Sequence, residues 1–394
     1  MTPLVLVRFA EIFLKRGNRR HFEELLVRNL RAAIGPGGGR LVRGYDRILV
    51  QDVTAPEETA RRAAGVFGVA SVSAGHAVAL DVDAIVAAVV EVVARERNGA
   101  RTFAIRARRA NKRFPLDSLG LNRVVGRAVQ EASALRVSLD APDLEVGIEV
   151  GHEAAFVFAG TRPGPGGLPV GATGHVALLL SGGIDSPVAG WLAQKRGCRL
   201  SAIYFHSFPH VGERTKEKVR ELCAVLARQQ GNVDLHVVPF AAAQEAVRDG
   251  ARPPLYLVLY RRLMLRIAER IAESIGAGAL CTGESLAQVA SQTLKNLDTI
   301  NRVARLPVLR PLVTNDKNET IVLARRIGTY DLSVQPHDDC CSLFVPPHPE
   351  LKCTPETAER AERRLDVEAL VADAVARTEV LKVAPERRAG DAPT

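Results

Sequence analysis

Two short stretches of the sequence hold residues whose types and spacing could do chemistry. The first, Leu178–Pro187, reads Leu-Leu-Leu-Ser-Gly-Gly-Ile-Asp-Ser-Pro and extends an apolar run. Gly182 and Gly183 let the backbone curl so that successive amides face an anion. A helix that starts around Pro187 would add its own amides and the positive end of its dipole. The stretch therefore predicts a phosphate-binding loop between a buried strand and a helix.

The side chains of this loop suit a nucleotide. Ser181 and Ser186 carry hydroxyls that can donate hydrogen bonds, and Asp185 could hold a magnesium ion that bridges phosphates. The pattern is neither GxxxxGKS/T nor GxGxxG, and the loop has no lysine to reach a γ-phosphate. Ser-Gly-Gly alone would equally fit a plain strand-to-helix turn. The full Ser-Gly-Gly-x-Asp-Ser pattern resembles the loop of the ATP pyrophosphatases with the adenine-nucleotide α-hydrolase fold, which break ATP between its α- and β-phosphates.

The second stretch is a pair of adjacent cysteines, Cys340 and Cys341, between His-Asp-Asp and Ser-Leu-Phe-Val-Pro-Pro. Structural cysteines seldom form such a pair in a loop-like context, whereas an accessible thiol of low pKa can act as a nucleophile or carry a persulfide. Metal binding by the same His/Asp/Cys cluster is the alternative, but its spacing is too compressed for ordinary tetrahedral ligation. The sequence has no Cys-x-x-Cys pair that would support a zinc site or an iron–sulfur cluster.

Bulk properties exclude several classes of protein. A chain of 394 residues predicts two or three compact units, and 47% hydrophobic with 25% charged residues is typical of globular domains. No apolar run is long enough to cross a membrane, and the first residues do not read as a secretory signal, so a cytoplasmic location without membrane contact is expected. Cys198, Cys223 and Cys281 stand in apolar contexts and are predicted to be core residues rather than parts of a disulfide framework.

Basic residues concentrate in the first half of the chain. The net charge is +9, and residues 101–127 hold eight arginines and lysines against one acid, Asp117. Arginine suits phosphate recognition because its planar fork matches a pair of oxygens. Composition alone equally fits a solvated, arginine-rich surface.

The order of predicted elements divides the chain. Residues 1–60 read as a small α+β unit, and residues 61–165 read as a second small α/β unit that ends at a Gly/Pro-rich linker. Over residues 173–383 buried strands alternate with helices, which predicts a parallel sheet covered on both faces. A loose tail is expected over residues 384–394.

Five motifs stand out along the chain: Arg8–Arg20, Phe103–Pro115, Thr282–Leu294, Arg310–Lys317 and His337–Pro346. In this order they resemble the tRNA 4-thiouridine synthases, which are tRNA sulfurtransferases of the thiamine-biosynthesis type. The resemblance covers about residues 4–353. It implies an α/β fold with an N-terminal ferredoxin-like α+β domain, a THUMP RNA-binding α/β domain, and a C-terminal ATP-pyrophosphatase domain of the parallel-sheet adenine-nucleotide α-hydrolase-like fold.

The resemblance also implies the residues that bind substrates. Without the resemblance, Tyr204 and Phe205 would be read as core residues and Arg261 as a solvated charge on a helix. Lys317 is either a phosphate contact or an exposed lysine in the first turn of a helix. Phe114 is predicted to anchor its loop in the core rather than to stack on a base. The implied RNA contacts are Arg106, Arg108, Arg109, Lys112 and Arg113. The implied ATP contacts are Leu179, Leu180, Ser181, Gly182, Gly183, Asp185, Ser186, Tyr204, Phe205, Arg261, Gly283 and Gln292.

The implied reaction uses ATP and Mg²⁺ to adenylate a tRNA uridine, expected at position 8, which then receives sulfur from a cysteine persulfide. Alignment with the family's catalytic cysteine selects Cys341 over Cys340. The residues after Cys353 contain no cysteine and are too few for the rhodanese domain of some family members, so direct loading by a cysteine desulfurase is expected. Cys340, Cys198 and Cys353 remain alternatives for the thiol that releases the product. Sulfur supply to thiamine thiazole synthesis and a homodimer are further family expectations.

Two other functions remain open at this point. A different tRNA-modifying enzyme of the same fold would share Ser181–Ser186 but would not need the cysteine pair. A non-enzymatic tRNA-binding protein would need only the basic N-terminal half. Loss of sulfur transfer on cysteine substitution would distinguish a sulfurtransferase from the other tRNA-modifying enzyme. Exchange of pyrophosphate into ATP that depends on tRNA would distinguish an enzyme from a tRNA-binding protein.

Overall fold

A computed structural model describes residues 1–15, 17–44, 46–336, 344 and 346–385. The chain forms two compact units, Met1–Pro169 and Val170–Thr394. Within the described ranges, no helix is both long enough and apolar enough to span a membrane.

The first unit is built on one mixed sheet with helices packed on it. Its strands are β1 (Thr2–Arg8), β2 (Arg40–Arg43), β3 (Arg47–Gln51), β4 (Ser71–Val78), β5 (Thr102–Arg109), β6 (Arg136–Val137), β7 (Leu144–Val150), β8 (Ala155–Ala159) and β9 (Arg162–Pro163). Its helices are α1 (Arg19–Ile34), α2 (Pro56–Ala63), α3 (Val82–Glu96) and α4 (Ser118–Ala132), with a 3-10 helix over Glu11–Leu14.

The strands of the first unit lie in the order β2-β3-β1-β4-β8-β7-β5-β6, and β9 pairs with β4. Strand β1 is central to its part of the sheet and pairs antiparallel with both β3 and β4, and its residues Leu4–Val7 are all buried. Strands β1–β3 precede the predicted domain boundary at residue 60, and β4–β9 follow it, yet all of them belong to one sheet. Helix α2 spans this boundary. The division of residues 1–165 into two domains remains a prediction.

Alternation along β5 decides which side chains face the helices. Phe103 and Ile105 pack with α3 and α4 in a core of the first unit. Arg106 and Arg108, one and three residues after Ile105, therefore lie on the opposite face of the sheet. Phe114 is buried in the same core, which confirms the prediction that it anchors its loop.

The second unit alternates strands and helices. Its strands are β10 (His175–Leu179), β11 (Arg199–His206), β12 (Val233–Pro239), β13 (Ala279–Cys281), β14 (Val308–Leu309) and β15 (Glu379–Val383). Its helices are α5 (Asp185–Lys195), α6 (Glu213–Ala227), α7 (Ala241–Gly250), α8 (Tyr256–Ser274), α9 (Leu294–Asn301), α10 (Lys317–Ile327), α11 (Tyr330–Ser333), α12 (Pro355–Glu362) and α13 (Val367–Ala376). Two 3-10 helices cover Pro253–Leu255 and Ala290–Gln292.

The sheet of the second unit has the order β14-β13-β10-β11-β12-β15. Every pair is parallel except β12 with β15, which is antiparallel at the edge. The chain moves from β10 to β11 and β12 on one side and later to β13 and β14 on the other side. Strand β10 is thus the point at which the strand order reverses, and in open α/β sheets ligands bind beyond the carboxyl ends of the strands at such a point. The predicted α/β fold with a mostly parallel sheet is confirmed.

Three charged side chains tie α12 to α8 inside the second unit. The guanidinium of Arg262 donates to both carboxylate oxygens of Glu362 at 2.8 Å and to the carbonyl of Thr299 at 2.6 Å. Arg266 reaches the same carboxylate at 2.7 and 3.1 Å. Burial would raise the pKa of Glu362, but hydrogen bonds from both arginines outweigh it and lower that pKa below its usual 4.5.

Replacing Glu362 by glutamine should destabilise the second unit. Glu362→Gln removes the negative charge from beside the fully buried Arg262, and breaking a buried pair by removing one partner costs about 3–5 kcal/mol. Chemical denaturation at pH 7 measures the change in the free energy of unfolding. The matched control is Glu368→Gln, because Glu368 pairs with Arg270 on the surface, where ion pairs contribute little.

The same variant makes a prediction about pH. A carboxylate with a lowered pKa in the folded state contributes stability above its unfolded pKa, and this contribution is lost as the pH falls through the folded value. The difference in unfolding free energy between wild type and Glu362→Gln should therefore be full above about pH 4.5 and shrink below it. A difference that is independent of pH would show that the charge of Glu362 is not what stabilises the contact.

Candidate active site

The Ser-Gly-Gly-Ile-Asp-Ser loop lies at the carboxyl end of β10, where the strand order reverses. Its two serines hold its shape: Ser186 Oγ accepts the Ser181 amide at 2.9 Å, and the two hydroxyl oxygens are 3.0 Å apart. Ser181 Oγ also accepts the Gly183 amide at 3.3 Å. Helix α5 begins within the loop, and its first turn lacks a side-chain cap among the described residues. Its first amides are therefore available to an anion.

One carboxylate and one ammonium group meet beside the loop. Lys317 Nζ lies 2.8 and 3.0 Å from the two carboxylate oxygens of Asp185, and Gln288 Nε2 donates to the same carboxylate at 2.9 Å. Lys317 is the first residue of α10, whose start is fixed by a capping box between Asp316 and Glu319. The structure thus brings a lysine to a loop that has none of its own.

Gly283 follows β13, the neighbour of β10, and closely approaches the first turn of α5. A Cβ atom on Gly283 would lie 2.6 Å from the amide nitrogen of Ser186 and 2.7 Å from the carbonyl carbon of Asp185. The sequence predicts that a glycine here permits close approach of a ligand. What the structure places against Gly283 is the backbone of the phosphate loop itself.

A cavity of about 480 Å³ opens beside the loop, within the range of small-molecule sites. Eleven of the twelve predicted ATP contacts line it, and Gly182 does not. Tyr204 and Phe205 are 3% and 4% exposed, so they are core residues that also border the cavity. The predicted residues around it are Leu179, Leu180, Ser181, Gly183, Asp185, Ser186, Tyr204, Phe205, Arg261, Gly283 and Gln292.

The sequence analysis missed several residues of the cavity wall. Leu257, Tyr260 and Met264 lie on the same face of α8 as Arg261, at the three- and four-residue spacing that would have identified them. Glu284 also borders the cavity and is 3% exposed. Its carboxylate accepts hydrogen bonds from Thr282 Oγ1 at 3.0 Å and from Arg310 Nε at 2.7 Å.

The wall of the cavity offers an unused acceptor to a ligand. Gln292 is 6% exposed, and its Oε1 is buried without a hydrogen-bond partner in the described part of the chain. Buried polar atoms are seldom left unpaired, so this oxygen suits a ligand N–H group such as the amino group of adenine. Donors on the loop, an apolar wall on α8 and this acceptor together fit an adenine nucleotide.

A bound Mg²⁺ ion would need ligands in addition to those that the described residues supply. The described residues contain no group of three or more His, Cys, Asp or Glu side chains that could hold a metal. Asp185 is a single carboxylate, which fits the usual Mg²⁺ site of one or two carboxylates completed by substrate phosphates. Asp185 therefore fits a Mg²⁺ ion that arrives together with ATP.

The predicted sulfur-carrying residue Cys341 and its neighbour Cys340 lie outside the described residues. The four described cysteines are free and buried. Burial raises the pKa of Cys223 and of Cys281 to about 12, as expected of core thiols. Burial also raises the pKa of Cys353 to about 11.

The predicted RNA contacts divide into two groups. Four of the five are exposed: Arg106, Arg108, Lys112 and Arg113. Arg106 pairs with Glu145 at 3.3 Å. Arg109 instead holds its own loop, since its Nη1 donates to the carbonyls of Lys112, Phe114 and Leu116 at 3.4, 3.1 and 3.4 Å.

Arg108 belongs to a basic cluster on the face of the sheet opposite α3 and α4. In this cluster Arg8 Nε donates to Glu149 at 2.8 Å, and Arg47 pairs with the same carboxylate. Burial, together with the positive charges of Arg47 and Arg108, lowers the pKa of Arg8 to about 10. Arg8 and Arg47 pair with the buried Glu149, and Arg47 also pairs with Asp46 at 2.7 Å. Three arginines against two carboxylates leave this face of the first unit with excess positive charge.

The second unit is an α/β domain with a mostly parallel sheet and a Ser-Gly-Gly-x-Asp-Ser loop at its switch point, an arrangement that suits nucleotide binding. The family profile described as "Thiamine biosynthesis protein (ThiI)" matches residues 171–367, the "ThiI ferredoxin-like domain" matches residues 4–73, and the "THUMP domain" matches residues 79–159. The chain belongs to the ThiI family of tRNA sulfurtransferases.

Individual relatives match over almost their whole length. A probable tRNA sulfurtransferase of Moorella thermoacetica is 46% identical over 98% of this chain and 99% of its own, and one of Brevibacillus brevis is 45% identical over 96% of each. A crystal structure of a 4-thiouridine synthetase–RNA complex with bound ATP superposes with a TM-score of 0.87 at 36% identity, covering 97% of this chain and 100% of that one.

Replacing Gly283 by alanine should weaken nucleotide binding. The new Cβ would lie 2.6 Å from the Ser186 amide nitrogen, so the loop and the first turn of α5 must shift. We expect the dissociation constant of ATP, measured by calorimetry, to rise by about tenfold or more, a loss of about 1.4 kcal/mol. The matched control is Gly278→Ala at the other end of β13, where a Cβ would meet no atom within 4 Å. Equal affinities of the two variants would contradict the assignment.

Proposed function

We propose that this protein is an ATP-dependent tRNA sulfurtransferase that converts a tRNA uridine to 4-thiouridine by adenylating its 4-oxygen. The observation that carries the proposal is the cavity beside the Ser181–Ser186 loop. In the part of the chain that the structure describes, the cavity is lined by the loop, whose first helical amides are uncapped, and by the unpaired acceptor of Gln292, and Lys317 pairs with Asp185 at its edge. Similarity to a 4-thiouridine synthetase that was solved with RNA and ATP supports the same assignment.

In the first step the uridine 4-oxygen attacks the α-phosphate of ATP, the bond to the β-phosphate breaks, and pyrophosphate leaves. The loop amides and the first turn of α5 hold the phosphates, because they form a preorganised set of donors. Lys317 stands where it can exchange Asp185 for a phosphate oxygen and neutralise charge on the departing pyrophosphate. Mg²⁺ held by Asp185 and phosphate oxygens would supply further charge stabilisation.

In the second step the terminal sulfur of a Cys341 persulfide attacks carbon 4 of the adenylated uridine, and AMP leaves with the former 4-oxygen. This leaves carbon 4 joined to Cys341 through a disulfide. A second thiol then attacks the Cys341 sulfur, which releases 4-thiouridine and leaves a protein or mixed disulfide for a thiol reductant. A cysteine desulfurase acting directly on Cys341 supplies the sulfur.

The described cysteines are poor choices for the second thiol. Cys198 is 7% exposed and Cys353 is 1% exposed, and the raised pKa of Cys353 disfavours its thiolate. We therefore assign the release step to Cys340 or to an external thiol.

The first unit supplies the tRNA-binding surface in this proposal. Exposed Arg106, Lys112 and Arg113 provide positive charge for the phosphate backbone, and contacts of this kind confer affinity rather than base specificity. Arg109 shapes the loop that presents Lys112 and Arg113.

Replacing Lys317 by methionine should slow adenylation. Lys317→Met keeps the length of the side chain but removes the charge that faces Asp185 and the phosphates, so we expect a loss of about 10²-fold. The measurement is tRNA-dependent ATP–pyrophosphate exchange. Lys295→Met is the matched control, because Lys295 is also an exposed lysine in the first turn of a helix of the second unit. An unchanged exchange rate in Lys317→Met would remove Lys317 from the mechanism.

Replacing Cys341 by serine should abolish sulfur transfer and leave adenylation intact, since only the thiolate can carry the persulfide. Nucleoside mass spectrometry measures 4-thiouridine in unmodified tRNA incubated with protein, ATP, Mg²⁺, cysteine and a desulfurase. Pyrophosphate exchange is measured in parallel. The neighbouring Cys340→Ser should still transfer sulfur in a single turnover when a thiol reductant is added to release the product. Full thiolation by Cys341→Ser would refute Cys341 as the sulfur carrier.

A further inference from the structure

A buried lysine outside the nucleotide cavity holds the chain just before the segment that contains Cys341. Lys218 lies on α6 and is 5% exposed. Its Nζ donates to the carbonyls of Ser333 and Gln335, each at 2.8 Å. An ammonium group is costly to bury unless hydrogen bonds replace its water, and carbonyls at the end of a helix are otherwise without partners. Lys218 therefore fixes the chain where it leaves α11.

The same turn also contacts the phosphate loop. Ser333 Oγ donates to the carbonyl of Gly183 at 3.3 Å. Through Ser333, the end of α11 is connected on one side to Lys218 and on the other to the loop that holds the phosphates. The start of the segment is thus positioned with respect to the site of adenylation.

An aromatic residue fixes the chain just after Cys341. The ring of Phe344 packs edge to face with His210 at a centroid distance of 5.6 Å, and the Arg248 guanidinium lies 5.3 Å from its centroid. His210 Nε2 is itself 2.9 Å from Glu245 Oε1 on α7. Phe344 also packs against the core of the second unit. Its φ of 57° is rare for a bulky residue, so these contacts hold it in a conformation that it would not adopt alone.

In the sequence, Cys341 lies between the contact made by Lys218 and the contacts made by Phe344. Cys341 follows Gln335 by six residues in the sequence and precedes Phe344 by three. Reacting atoms must come within about 3–3.5 Å of each other, and a misplacement of about 1 Å costs roughly 10²-fold in rate. Loosening either end of the segment should therefore affect the step that uses Cys341 far more than the step that uses ATP.

We propose that Lys218 and Phe344 are positioning residues for sulfur transfer, which fix the two ends of the segment from Pro336 to Phe344 against the second unit. This inference rests on the proposed function, in which Cys341 carries the sulfur. Neither residue borders the nucleotide cavity or contacts Asp185 and Lys317 among the described contacts.

The experiment separates the two half-reactions in Lys218→Met and Phe344→Leu. Each protein is loaded with persulfide to an equal, mass-spectrometrically measured extent and then given ATP and tRNA in a single turnover. We expect 4-thiouridine formation to slow by roughly 10²-fold, while tRNA-dependent pyrophosphate exchange stays within about threefold of wild type. Phe344→Tyr should restore the rate, because it keeps the ring that His210 and Arg248 contact.

A matched lysine on the same helix provides the control. Lys216 is two residues before Lys218, but its Nζ pairs with Glu379 on β15, so Lys216→Met should leave both half-reactions unchanged. If Lys218→Met fails to fold, Phe344→Leu at a half-buried position decides the question. The proposal is overturned if exchange and thiolation fall together, or if thiolation stays within twofold of wild type in the folded variants.

Failure of the underlying function gives a different result. If wild-type protein makes no ATP-dependent 4-thiouridine, or if Cys341→Ser matches wild type, the proposed function is wrong whatever the variants do. If wild type is active, Cys341→Ser is inactive and both positioning variants match wild type, only the positioning roles are wrong.

Discussion

The second unit depends on the contact between Gly283 and the first turn of α5. Strands β10 and β13 are neighbours in the sheet, and the segments that follow them meet beyond their carboxyl ends. Only a residue without a Cβ lets the two backbones approach as they do at Ser186. This approach brings the anion-binding end of α5 against the segment 283–292, which supplies Glu284, Gln288 and Gln292 to the same cavity.

Two kinds of ion pair serve different purposes in this unit. The pair of Arg262 with Glu362 is buried, and both side chains have hydrogen-bond partners, so it holds α8 and α12 together. The pair of Asp185 with Lys317 is partly exposed, at 21% and 43%, and is worth less in isolation. A weak pair between a carboxylate and an ammonium group suits a site where phosphate and a cation must replace both partners. In this pair each charge compensates the other.

Local patterns in the sequence predicted most of the helices and strands. What they missed depends on contacts between residues far apart along the chain. The strands of the second unit up to β13 and the helices α5, α6 and α8 follow from buried runs and helical spacing, although α5 begins two residues before the predicted Pro187. The sequence pattern predicts a helix over Asn122–Ala134, but α4 begins four residues earlier, at Ser118, because the side chain of Asp117 caps the Gly120 amide. Strand β15 was not predicted, since its exposed alternation gives no sign that it pairs antiparallel with β12.

The candidate site shows the same division between local and distant signals. A contiguous loop such as Ser181–Ser186 is visible in sequence because glycine and hydroxyl residues must be adjacent to do its work. Lys218 reads as one more charge on a polar helix face, and only the fold shows that its partners lie more than a hundred residues away. The loop Ser181–Ser186 and the first turn of α5 follow directly from a strand of the sheet. Gln335 and Phe344, on either side of Cys341 in the sequence, are instead held by side chains of α6, of α7 and of the loop before α6. In the proposed mechanism, adenylation and sulfur transfer therefore depend on different contacts within one unit.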